Sequence, residues 1–354
     1  LIRELTDNRT MGSVPFGGRY RLIDFTLSNM VNSGINRVGV ITKRNYQSLM
    51  DHLGSGKSWD LSRRRDGLFI LPPFGSSNGE FTNRVETLSA IREFIKRSKE
   101  EYVLISDCDV VCNIDYQKVI SNHIKNEADI TVIYRRGKLP PKINKPIVLS
   151  LNNDNHIKDI YIKPKIDSEC SYGINMYLMK RTLLLKLVAE CISRNAGSFN
   201  RDIIQSNVGK YRMYGYEFEG FAKVITSINS YFEANMSLRS KETRDHLFDN
   251  NRPIYTKIRD DMVTKYGLGA EVRDSIIANG CVIDGEVENS IIFRGVKIEK
   301  GAKVSNCVLM QDTVIGENCN ISYVISDKDV IIKEDRTLMG FQSYPVYISK
   351  ASMV

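Results

Sequence analysis

The chain has 354 residues, 42% of them apolar and 26% charged, with a formal net charge of +8, so it is too long for one ordinary core and two domains are expected. No apolar run approaches the ~20 residues that a membrane span needs, and the seven scattered cysteines, an odd number with no second Cys/His pair at ligand spacing, read as reduced cytoplasmic thiols, not as a disulfide framework or a zinc site. The basic residues are interspersed with acids apart from Arg63-Arg64-Arg65, a balance that favours small anionic ligands and calls for neither a polynucleotide nor a membrane partner. The opening Leu1-Ile2-Arg3-Glu4-Leu5 has no starting Met and no apolar core of a secretory signal, so a few further residues are expected ahead of it.

In chain order, short apolar strands alternate with amphipathic stretches up to about residue 240, which predicts an α/β domain with a largely parallel sheet. Arg19 and Arg21 flank Tyr20 in a predicted strand, where alternate side chains share a face and two guanidiniums could clamp a phosphate or carboxylate. Solvated strand arginines are the plain alternative. Strands are predicted at residues 37–41, 102–106 and 130–134, and a helix over 86–97, where Leu88, Ile91, Phe94 and Ile95 recur at helical spacing. Gly54-Ser55-Gly56-Lys57-Ser58 imitates a phosphate-binding loop, but Asp51 stands where the first glycine would have to be, so it reads as a turn. Trp59, the single tryptophan, is read as packing a loop. Residues 240–252 are polar and without a period, and are read as the connection between domains.

Beyond the connection the pattern changes. Segments starting at Val272, Val287, Val304 and Ile321 stack as four similar repeats, with branched apolar residues every five or six positions and Gly, Asn or Asp at the corners, as at Asn279-Gly280, Arg294-Gly295 and Glu317-Asn318. Such a coil cannot bury its apolar face alone and must stack on the next, which predicts a parallel β-helix, with an antiparallel sandwich as the alternative.

The stretch from Arg9-Thr10-Met11-Gly12-Ser13 through Val14-Pro15-Phe16-Gly17-Gly18-Arg19-Tyr20-Arg21-Leu22-Ile23-Asp24-Phe25, with His52-Leu53-Gly54-Ser55-Gly56-Lys57, Lys163-Pro164, Ser171-Tyr172-Gly173 and the terminal repeats, closely resembles the bacterial ADP-glucose pyrophosphorylase (glucose-1-phosphate adenylyltransferase) family. It is most similar to the D-type regulatory subunit of glycogen synthesis. The resemblance implies a Rossmann-like nucleotidyltransferase domain with a mixed, mostly parallel sheet over residues 1–240, a linker over 241–262 and a left-handed parallel β-helix over 263–354. It also implies a cytoplasmic protein in a hetero-oligomer, a tetramer, with a catalytic homologue, responding to phosphorylated effectors.

The family's reaction joins a sugar 1-phosphate to the α-phosphorus of ATP, and the charge that develops is met by Mg²⁺ and fixed cations. By resemblance, the first metal carboxylate falls on Asp109, but the second falls on Lys223, whose amine would pair with Asp109 instead of admitting the ion. The lysine that balances pyrophosphate falls on Met11. The family's Arg-Gly-Thr-Ala falls near Thr82-Asn83-Arg84-Val85, without its glycine. The expectation is therefore a chain with no intact catalytic set and no cofactor of its own, Mg²⁺ belonging to the active relatives. Lys163, Ser171 and Gly173 would remain as a sugar-phosphate pocket, and Arg19 and Arg21 as an effector site. Three alternatives stay open: an active nucleotidyltransferase holding metal through Asp109 with Asp107 or Glu86, an acyltransferase built on the β-helix, and a ligand-free scaffold.

Overall fold

The computed structural model describes residues 2–42, 45–72, 83–140, 143 and 146–354. They form two compact units, one of Leu1–Phe25, Gln47–Leu53 and Phe221–Val354, the other of Thr26–Tyr46 and Gly54–Gly220. The second is the α/β unit. Its sheet is built around the long strand Glu169–Lys180, which runs antiparallel to Tyr102–Ser106, Ile130–Lys138 and Ile147–Leu151. Ile130–Lys138 pairs in parallel with Met213–Glu217, and Arg37–Ile41 with Gly67–Leu71. The sheet is mixed, as expected, but mostly antiparallel among the described residues. The reason is connection length: Ile147–Leu151 returns through a tight turn, closed by Asn152 N–H donating to His156 O, into Ile157–Ile162, and a connection that short joins only antiparallel strands.

The strands at 37–41 and 102–106 have the predicted bounds. Residues 130–134 are buried on both faces, which is why they read as an unbroken apolar run and not as an alternation. The helix expected over 86–97 is two, Arg84–Ala90 and Arg92–Lys96, broken at Ile91. It starts two residues early because the Asn83 side chain caps it, accepting from Glu86 N–H at 2.9 Å. Thr82 lies outside the described residues. Val85 and Leu88 from this helix meet Leu184, Leu187 and Val188 of the helix Arg181–Ser193 in one core with Val132, Tyr177 and Met179.

In the first unit the terminal repeats form three five-stranded sheets, one strand from each coil in each sheet, all paired in parallel. The register runs Val272, Val287, Val304, Ile321 and on to Leu338, so the β-helix stands, the antiparallel sandwich falls, and the stack has one rung more than the four repeats announced. Inside it Ile283, Ile298, Ile315 and Ile332 form a fully buried column. The sheet of Ile276–Ile277, Ile291–Ile292 and Val308–Leu309 is covered on its outer face as well: Ile291, Val308 and Ile325 have no exposure, and a Cβ placed on Gly18 of the opening segment would stand 3.6 Å from Ile292 O. The opening segment is tied in turn to the helix Ile228–Ser237, where Tyr231 Oη donates to Pro15 O at 2.7 Å and Asn235 accepts from Gly17 N–H at 3.0 Å.

The connection read at 240–252 contains a helix, Lys241–Leu247. It shows no period in the sequence because Leu247 alone of its residues is buried.

Candidate functional site

The residues singled out from the sequence fall into groups that belong to different units. In the α/β unit the strand Tyr102–Ser106 delivers Asp107 and Asp109 at its carboxyl end, ahead of Val110–Cys112. Arg84, the first residue of its helix, donates to Asp107 and forms an ion pair with it. The guanidinium also lies 5.3 Å from the centre of the Phe199 ring, a ring that packs on Tyr177, whose hydroxyl donates to Asn200. Asp109 is partly buried, and its Oδ1, closed off from solvent, has no hydrogen-bond partner among the described residues. Burial, and then the negative charge of Asp107, raise its carboxyl well above the ordinary carboxylate range.

A divalent cation does not fit these residues as they stand. Mg²⁺ is held through ionised carboxylate oxygens, and a guanidinium on one of them competes with it. Here one of the two carboxylates already carries a guanidinium. No group of three or more His, Cys, Asp or Glu side chains converges among the described residues.

Lys163, Ser171 and Gly173 are brought to one region by three adjoining strands, through the pairings Tyr172 with Val148 and Ile147 with Ile162. Gly173 is there because space allows nothing larger: a Cβ on it would come 2.6 Å from the Ile147 side chain. Ser171 is half-buried opposite Arg136. Lys163 is exposed at the end of its strand, with a left-handed φ of 53° and its N–H donating to Pro146 O at 2.8 Å.

The other unit gathers cations. Arg9 is buried and holds both oxygens of Asp327 at 2.7 Å, and Tyr347 Oη donates to the same carboxylate at 3.0 Å. Arg21 donates to the Ser48 backbone oxygen and hydroxyl. Burial brings Arg21 down to about 10, with Arg9 and Arg259 adding to the effect and Asp24 opposing it. Burial likewise pushes Lys328 down to about 7, reinforced by the charges of Arg21 and Arg9. Asp24, fully buried, accepts from Arg21 N–H and meets His52 Nε2 at 2.6 Å. Burial holds His52 below its ordinary value, with the hydrogen bond to Asp24 opposing the shift.

Arg19 corrects the strand expectation. It sits in the turn ahead of the two-residue strand Tyr20–Arg21, exposed, with its guanidinium 5.4 Å from the Tyr20 ring centre, so it and Arg21 face different partners. Met11 opens a short 3-10 turn, Met11–Ser13. Lys223 is the exposed middle residue of Ala222–Val224.

The nucleotidyl transferase family matches residues 2–241, and a GlmU-like C-terminal hexapeptide family matches 262–343. The chain belongs to the nucleotidyl transferase family. The chain is 36% identical to the glycogen biosynthesis protein GlgD of Bacillus subtilis (strain 168) over 350 residues, 99% of this chain and 92% of that protein. It is 40% identical to the GlgD of Geobacillus stearothermophilus over 308 residues, 86% and 79% of the two chains. A glucose-1-phosphate adenylyltransferase of Bacillus mycoides (strain KBAB4) is 33% identical over 343 residues, 95% and 90%.

Three pairings and one residue are not readable from the sequence: Arg84 on Asp107, Arg9 on Asp327, His52 on Asp24, and the partly buried position of Lys328. Arg9 and Arg84 lay inside quoted motifs, yet their partners are 318 and 23 residues away. No spacing rule reaches either. Lys328 was visible only as a basic corner in the Ser326-Asp327-Lys328-Asp329 turn of a repeat.

Proposed function

We propose that this chain is a regulatory, catalytically impaired subunit of a glucose-1-phosphate adenylyltransferase in cytoplasmic glycogen biosynthesis, assembled as a hetero-oligomer, a tetramer, with a catalytic homologue. The observation that carries the reading is the state of the carboxylates: Asp107 is paired with Arg84, and Asp109 is partly buried with one oxygen unpartnered. Met11 and Lys223 support it, since neither a thioether nor an amine can replace the cation and the carboxylate that the transfer chemistry requires. The relatives, two glycogen biosynthesis proteins and a glucose-1-phosphate adenylyltransferase, support the pathway.

In this role Arg21, with Arg9 and Lys328 near it, receives a phosphorylated effector, and Lys163, Ser171 and Gly173 keep a sugar-phosphate pocket. Binding at either place acts on the partner by favouring one state of the complex over another. The test is co-expression with a catalytic homologue and assay of ADP-glucose formation. Copurification, together with a changed rate or effector midpoint that Arg21→Ala removes, is expected. Separate elution and an unchanged rate would overturn the proposal.

A further inference from the structure

The pairing of Arg84 with Asp107 has the marks of a built feature. Arg84 occupies the first position of its helix, fixed there by the Asn83 cap directly before it, and Phe199 lies beneath its guanidinium. Its charge is felt by Asp107, Asp109 and Tyr177 together. An exposed ion pair gains little and its side chains wander, but this arginine is held at its root by the cap and along its face by an aromatic ring, so its charge is placed and not merely nearby. Asp107 and Asp109 share one short turn, where the charge of the first opposes ionisation of the second and a fixed cation lessens that opposition.

We propose that the Arg84 guanidinium is the resident cation of the Asp107–Asp109 turn, so that this unit holds its carboxylates together without a divalent ion. The inference rests on side chains of the α/β unit alone and stands whether or not the chain joins a catalytic partner.

Mn²⁺ is the probe, followed by electron paramagnetic resonance and by melting temperature on the full protein. Two arms decide the matter. In the first, the Mn²⁺ isotherm of the wild type is compared with that of Asp109→Asn: identical curves are expected, and a loss of bound Mn²⁺ in the variant overturns the proposal. In the second, Arg84→Gln removes the guanidinium. Mn²⁺ is then expected to raise the melting temperature of that variant by about 2–4 °C while leaving the wild type unmoved, and Arg84→Gln with Asp109→Asn should lose the response. An Arg84→Gln protein that folds and shows no Mn²⁺ response overturns the proposal. Should Arg84→Gln not fold, the first arm decides alone, because it leaves Arg84 in place.

Discussion

Arg9 is 4% exposed and grips both oxygens of Asp327, so neither charge has water to return to. Removing one partner of such a pair leaves the other buried and uncompensated, at a cost of about 3–5 kcal/mol. Arg9→Met is therefore expected to lose roughly that much in urea unfolding, whereas Arg9→Lys, which keeps the charge without the two-pronged grip, loses less; equal losses would show that packing and not charge is what Arg9 supplies. Lys328 makes a different statement. Its amine sits at about 7 in the folded protein because burial and the neighbouring Arg21 and Arg9 oppose the proton. Folded-state stability is then fully present above the ordinary lysine value and falls as pH drops toward about 7, where the folded protein must accept the proton that the unfolded chain already holds. An anion among these cations favours the charged amine. Sulfate, whose charge is constant over this range, is expected to raise the melting temperature more at pH 6.5 than at pH 8.5, and Lys328→Met to remove the difference. A sulfate effect independent of pH in the wild type contradicts this.

At the scale of elements the β-helix was the most legible part of the chain. Each rung had to repeat the same inward residue for the coils to stack, and Val272, Val287, Val304 and Ile321 do pair in one register. The next rung, at Leu338, stayed hidden because the residues after it, Gly340-Phe341-Gln342-Ser343-Tyr344-Pro345, depart from the repeat. The corners were legible for a steric reason: Gly295 has φ +70°, and a Cβ there would stand 2.2 Å from Asp312 Oδ1 in the next coil. Gly295→Ala is accordingly expected to destabilise by about 1 kcal/mol or more, and Ile321→Ala, in the dry interior, by about 2–5 kcal/mol. Lys297→Ala, on the exposed surface of its strand, should stay within about 0.5 kcal/mol. Chemical denaturation of the three variants checks the order. The α/β unit was less readable, since the direction of strand pairing depends on connection lengths, and a helix such as Lys241–Leu247 with one buried residue leaves no period to find.

For the whole molecule, the departures from the family's motif were legible in the sequence and the side-chain pairings of the folded chain were not. Met11 and Lys223 stand out against a motif, but nothing in the sequence announces that Arg84 would settle on Asp107, because that contact exists only once a helix cap and a strand end are folded toward each other. Substituting Lys223→Asp alone should therefore recover no ADP-glucose synthesis, since Met11 still offers no positive charge; a rate restored by that change would place the defect at one residue. The central claim is that this family member does not itself transfer the adenylyl group. The most direct measurement is ADP-glucose formation from ATP, glucose 1-phosphate and Mg²⁺ by the protein in its full natural length, with no homologue present. A rate about a thousandfold or more below that of a catalytic relative is predicted, and a rate within about tenfold of that relative would contradict the account.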